Sequence, residues 1–152
     1  MKKTVFGILF AFCAFGLTGA ATAADKSTPD QATALVKKAV AFLKANGKEK
    51  ALAEFNNPKG QFVNGDLYIF ALEPSGVTVA NGNNGKLVGK NVLEMKDQDG
   101  KPFIKTLLEI GNTKGSGWLD YRWNNPVSSK IEMKSTYVEK SDDLYVACGI
   151  YK

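Results

Sequence analysis

Three alternating segments at the end of the chain set the tightest limit on its fold: about Gly117–Trp123, Ile131–Glu139 and Leu144–Tyr151. Each is rich in aromatic and branched residues, and short polar loops, "NNPVSSK" and "KSDD", join one to the next. Loops that short leave no room for crossover helices, so the three strands must run antiparallel. A further hairpin lies upstream, with "DLYIFAL" (Asp66–Leu72) as a strand, "EPSG" as a tight turn and "VTVAN" as the returning strand. Ahead of all these strands the hydrophobic period is helical. "STPDQATALVKKAVAFLKANG" places Leu35, Val36, Ala39, Val40, Phe42 and Leu43 at that spacing, with Lys37, Lys38 and Lys44 on or near the other face. Ser27 or Thr28 suits its cap, Pro29 and Asp30 its first turn, and Asn46-Gly47 its end.

"KEKALAEF" predicts a second, short helix that stops at Asn56-Asn57-Pro58. "PFIKTLLEIGN" predicts a third, with Asp99 as cap, Pro102 near the first turn, and Phe103, Ile104, Leu107, Leu108 and Ile110 on the buried side. Between Asn81 and Gly100 the asparagines and glycines predict irregular loop, with a short helix near Val92. The order α-α-β-β-loop-α-β-β-β makes an α+β domain, a five-stranded antiparallel sheet with helices against it.

The first residues read as an export signal rather than as part of that domain. Lys2 and Lys3 precede an uncharged, mostly apolar run from Val5 to about Leu17, followed by "GAATAADK". Ala21 and Ala23 satisfy the small-x-small rule for a signal peptide over 1–23, cleaved after Ala23 or, alternatively, after Ala24. The apolar core is too short for a membrane span, and Cys13 follows Phe12, where a lipid anchor would need a small residue. The expectation is a periplasmic or secreted protein with no transmembrane span in the mature chain, and a single domain over 27–152.

Losing Lys2 and Lys3 takes the net charge from +5 to +3. Scattered lysines without a basic stripe give no support for a nucleic-acid partner. Cys148 is then the sole cysteine, so no intramolecular disulfide forms, and its apolar context "LYVACGIY" makes it a buried small hydrophobe. The chain has no histidine. Ser-His-Asp and Cys-His sites are therefore ruled out, and zinc loses its favoured imidazole ligand. The pairs Asp97/Asp99 and Asp142/Asp143 lie in turns, where aspartate caps local backbone. "DQDG" resembles a calcium loop but lacks further acids at the required spacing, and "GNNGKLVGK" has no P-loop order. The expectation is a non-enzyme without cofactor or metal.

"GWLDYRWNNP" holds the one arginine and both tryptophans of the chain. Strand alternation sends Trp118, Asp120 and Arg122 to one face and Leu119, Tyr121 and Trp123 to the other. If the irregular stretch Asn81–Lys96 covers one face, aromatic rings and a cation enclose a small cavity suited to a carboxylate. Arg122 fits such an anion through its planar fork. It equally fits an ordinary ion pair with Asp120 or a cross-strand acid such as Glu132.

Five stretches in order, "YIFALEPSGVTVAN", "LVGKNVLEMKDQDGKPFIK", "GWLDYRWNNP", "MKSTYVE" and "YVACGIY", resemble a single Cache domain of the second type, an extracellular sensor module related to the PAS fold. The resemblance runs from Asp66 to Tyr151, with the leading helix in the expected place. It implies a PAS-like sheet with a long N-terminal helix, covering helices and loops, and a pocket for a short organic acid of the acetate, propionate, lactate or pyruvate class. It also implies a separate partner, such as a membrane receptor or sensor kinase.

Tyr121 and Trp123 match the family's "Y-x-W", Lys134 and Tyr137 its "K-x-x-Y", and Tyr68 its first-strand aromatic. Lys134 and Arg122 are the expected charge partners of the acid, Tyr137 and Tyr121 the hydroxyl donors, and Trp123 and Tyr68 the apolar wall. Asn81 stands where relatives carry histidine and still offers a donor. Lys134 and Tyr137 are three apart, so they share a face only if the strand bulges near Ser135-Thr136; otherwise one belongs elsewhere. The alternative to a sensor is a non-catalytic interaction module with a vestigial pocket.

Overall fold

Thr28 starts the first helix of the domain, as its place before Pro29 and Gln31 requires. In the computed structural model, which describes residues 26–152, helix α1 (Pro29–Asn46) opens with a reciprocal capping box. The Gln31 amide donates to Thr28 Oγ1 (3.3 Å) while the Thr28 amide donates to Gln31 Oε1 (2.8 Å). The export segment and both of its cleavage sites lie outside the described residues. Helix α2 (Lys48–Phe55) follows after Gly47. The buried residues of the pair, Ala32, Val36, Ala39, Val40, Leu43, Ala51 and Phe55, pack on one face of the sheet.

The chain then makes a two-stranded turn, β1 (Val63–Asn64) with β2 (Leu67–Tyr68), before β3 (Phe70–Leu72) and β4 (Thr78–Asn81). The expected single strand over Asp66–Leu72 is thus broken at Ile69, whose backbone bonds outside the main ladder, to Phe62 and Gly82. A single-turn 3-10 helix at Gly85–Leu87 begins the covering segment. That segment forms no helix near Val92. Its backbone instead bonds back to β4 and the preceding turn, Thr78 N–H to Lys90 O and Val92 N–H to Gly76 O, both at 2.9 Å.

Helix α3 (Phe103–Lys114) begins at Pro102 with no side-chain cap. Asp99 does not cap it, because the helix starts only at Phe103, and the Asp99 carboxylate pairs with Arg122 instead. The final meander is β5 (Ser116–Asn124), β6 (Ile131–Ser141) and β7 (Leu144–Tyr151). All pairings are antiparallel, and the five-stranded sheet runs β4-β3-β7-β6-β5. The α+β class, the strand order along the chain and the three helices agree with the sequence expectation.

Period 2 divides the sheet into two working faces. Ile69, Ala71, Val146, Cys148 and Ile150 join the α1–α2 core. Tyr68, Phe70, Leu72, Tyr121, Val138 and Tyr145 join a second cluster under α3 and the covering segment. Thr28→Ala removes the cap on the first of these cores, and should lower unfolding free energy by about 1 kcal/mol. Urea denaturation followed by circular dichroism checks this, with an unchanged slope expected.

Candidate functional site

The second face of the sheet does not close completely. Beneath the covering segment lies a cavity of about 30 Å3, the space in which the centre of a water molecule can move. At ~10–15 Å3 per water, that is room for about two waters or for a molecule of a few heavy atoms. Phe70, Leu72, Leu87, Val92, Met95, Phe103 and Ile104 give it an apolar wall. Its polar groups come from four strands: Tyr68, Thr78, Asn81, Tyr121 and Lys134.

Lys134 is the unusual member, a lysine 1% exposed. Its Nζ donates to Tyr68 Oη at 2.7 Å. It also lies 4.1 Å from the Tyr68 ring centre, 5.0 Å from that of Tyr151 and 5.7 Å from that of Phe70. Among the described residues the ion pairs join Lys48, Lys105, Arg122 and Lys152 to acids, and none includes Lys134. No carboxylate lines the cavity. A buried ammonium without a counter-anion costs several kcal/mol, of order, unless a partner is supplied.

Burial is the largest single influence on Lys134 and opposes its charge, while the Tyr68 hydroxyl that accepts its hydrogen bond acts the other way. Burial pushes Tyr121 and Tyr151 up. Near neutral pH these two phenols are therefore protonated, and they offer Lys134 dipoles and π faces rather than negative charge.

The hydrogen-bonding pattern is one-sided. Tyr68 Oη is occupied as an acceptor by Lys134, and Tyr121 Oη by Thr136 Oγ1 at 3.0 Å. Tyr121 therefore keeps its O–H to donate, while the Tyr68 O–H is shared with Tyr151, whose own O–H goes to Asn124 O at 2.8 Å. Asn81 Oδ1 accepts the amides of Asn83 (3.1 Å) and Asn84 (2.8 Å), which leaves its Nδ2 as a donor. The cavity thus presents an ammonium with no counter-anion, the Tyr121 phenol and a carboxamide N–H as donors to a guest.

Five of the seven residues expected at the site line this cavity: Tyr68, Asn81, Tyr121, Trp123 and Lys134. Tyr121 stacks on Phe103 (centres 4.4 Å apart, 13° between planes), and Trp123 packs on the same ring at 5.3 Å. Arg122 and Tyr137 do not line it. The register of β6 with both neighbours is unbroken from Lys134 to Tyr137, so no bulge brings the two onto one face. Tyr137 instead packs beside Trp118 (5.4 Å) and against the α1–α2 core. Arg122 follows the strand parity out of the cavity, and its Nε donates to Asp99 Oδ2 at 2.8 Å. It pairs with neither Asp120, which holds Lys152, nor Glu132.

That ion pair ties the covering segment to β5. Asp97 completes the tie: its Oδ2 accepts the Arg122 amide (3.0 Å), and its Oδ1 accepts those of Asp99 (3.0 Å) and Lys101 (2.8 Å). Both acids of "DQDG" are therefore spent on anchoring the cover. Cys148 sits on the far face, its thiol pushed up to about 12 by burial.

Beyond Thr78 and the aliphatic wall, Phe103, Tyr151 and Thr136 contribute without having been expected at the site. Phe103 and Tyr151 reach the site from α3 and β7, which local patterns do not join to it. Tyr151 was nonetheless legible from parity, since β7 puts residues 145, 147, 149 and 151 on one face. Thr136, two residues from Lys134, carried the same signal.

The single Cache domain 2 family model matches residues 26–152. The chain belongs to that family. Its Cache domain is similar in structure to a methyl-accepting chemotaxis protein from Vibrio parahaemolyticus, with 25% identity and a TM-score of 0.69 over 80% of this chain and 86% of that one. It is similar also to a Cache chemosensory domain described for carboxylic acid recognition, at 22% identity and TM-score 0.63, covering 80% and 86% of the two chains. A periplasmic sensor domain of a chemotaxis protein matches at 22% identity and TM-score 0.64, over 80% and 88%. No curated protein matches. Cache domains are extracellular sensor modules, and no described helix of this one is long and apolar enough to cross a membrane.

The Asp97 anchor should make the cover acid-sensitive. The Arg122 amide, then those of Lys101 and Asp99, hold its carboxyl below the ordinary value. A depressed native pKa gives stability that is complete above the unfolded value of about 4 and lost as pH falls through the native one. Asp97→Ala should destabilise the domain at pH 7 and flatten the acid limb of the stability curve. Tryptophan fluorescence during acid unfolding checks both.

Proposed function

We propose that this Cache domain is a periplasmic sensor-type module that binds a short organic monocarboxylate, of the acetate, propionate, lactate or pyruvate class, and acts through a separate partner. One observation carries the reading: Lys134 is a buried cation in a cavity whose wall holds no acid to pair with it. A carboxylate has the complementary chemistry, because it is acceptor-only and supplies the missing negative charge. The apolar half of the cavity suits a carbon tail, and the volume limits that tail to a few atoms.

In this reading Lys134 pairs with the carboxylate while Tyr121 donates its O–H group to it. Asn81 offers a third donor, and Trp123 closes the wall through Phe103. Arg122 and Tyr137 have no direct contact with the acid. The similarity to a carboxylic-acid-recognising Cache domain supports the same class without fixing the acid. A signal sequence, if cleaved as expected, would deliver the domain to the compartment where a membrane receptor or kinase displays its sensing face.

The four acids, tested singly by thermal denaturation, separate this from an interaction module with a vestigial pocket. At ~100-fold excess over Kd the gain is ~2.7 kcal/mol, or roughly 5–10 °C in melting temperature for a domain of this size. Lys134→Met should keep the fold and abolish the shift, because it removes a charge that has no partner in the protein. Tyr121→Phe should reduce the shift. No shift with any acid overturns the reading.

A further inference from the structure

Lys134 reaches the cavity by an unusual path. It stands on β6, while its hydrogen-bond partner Tyr68 stands on β2, beyond β7. The side chain must therefore cross the face of β7, and it crosses at Gly149. A Cβ placed on Gly149 would lie 2.4 Å from Lys134 Cε, 3.0 Å from Lys134 Cγ and 2.5 Å from Thr136 Oγ1. These distances are too short for any real methyl group. The backbone of Gly149 is not in the left-handed region, so its conformation alone would accept an L side chain. What forbids one is the lysine lying across it.

We propose that Gly149 is a positioning residue for the anion site: it is the notch that carries the Lys134 chain across β7 and fixes where the ammonium stops. The consequence for ligand rests on the acid-binding reading above; the positioning itself does not. The same missing methyl leaves room for Thr136 Oγ1, which donates to Tyr121 Oη. One glycine thus sets two donors of the cavity in register, the ammonium directly and the Tyr121 phenol through Thr136. Filling the notch displaces Lys134 Cε, and Nζ beyond it must leave its 2.7 Å contact with Tyr68. The ammonium's depth decides how much of the cavity remains for the tail of an acid. Gly149 therefore also selects chain length.

Two readouts test this, one of which needs no ligand. In a thermal double-mutant cycle, Gly149→Ala is compared in wild-type and Lys134→Ala backgrounds. Truncating Lys134 removes both lysine carbons that the new methyl meets and leaves only Thr136 Oγ1, a hydroxyl that can rotate away, so the double variant should recover most of the melting temperature, or the folding, that Gly149→Ala loses. Equal losses in both backgrounds, or a double variant that still fails to fold, overturn the proposal. So does recovery by Thr136→Ala in place of Lys134→Ala. The second readout is sodium acetate and sodium propionate binding by calorimetry, where Gly149→Ala should weaken acetate by roughly 10- to 100-fold, the loss of one or two charge-assisted hydrogen bonds. Unchanged affinity for both acids overturns it. If the wild-type protein binds neither acid yet the cycle shows coupling, the acid reading fails and the notch stands.

Discussion

The contact between the Lys134 ammonium and the Tyr68 phenol, 2.7 Å long and buried, is the interaction around which the ligand face is built. A lysine seldom goes fully inside a protein without an acid to meet it. Here it meets oriented dipoles and ring faces, which lessen the cost of burial but do not cancel the charge. The residues nearby are arranged accordingly. Tyr68, Tyr151 and Phe70 give π faces, Gly149 gives passage, and Tyr121 is held by Thr136 and Phe103. Among the described residues no acid pairs with that positive charge.

The two sides of the sheet divide stability from binding. On one side, α1 and α2 lay small and branched residues against Ile69, Ala71, Val146, Cys148 and Ile150, a dry and continuous core. On the other, aromatic and polar groups mix, and α3 and the covering segment close over them incompletely. The cover is fixed at both margins of the sheet. Backbone bonds tie it to β4, and the Asp97 and Asp99 carboxylates tie it to Arg122 on β5. The ties of this segment are polar and local, and they are separate from the α1–α2 core.

Much of this was legible in the sequence because period 2 is an unforgiving rule. It separates Tyr121 and Trp123 from Arg122, and the structure keeps that division. The same rule opposed placing Lys134 and Tyr137 together, and it was the motif match that held them as a pair. The unbroken β6 register puts Tyr137 against Trp118, where a tilted aromatic pair fills the sheet's other face. Arg122 was conspicuous as the lone arginine, yet its fork serves an aspartate in the cover. Strand Asp66–Leu72 breaks because Phe62 and Gly82 bond the Ile69 backbone, and Asp99 is no cap because α3 starts at Phe103, a turn later than the local pattern suggests. Gly149 was invisible in the sequence, since a glycine in a strand names no neighbour until the lysine lying over it is seen.

The central claim is that the cavity's unmatched cation is meant for a carboxylate. A high-resolution crystal structure of the protein grown with acetate tests it most directly. The account predicts a planar, four-atom density in the cavity, one oxygen within hydrogen-bonding distance of Lys134 Nζ and Tyr121 Oη, and the methyl toward Val92 and Ile104. A cavity holding only water at saturating acetate, with Lys134 still bonded to Tyr68, would contradict it.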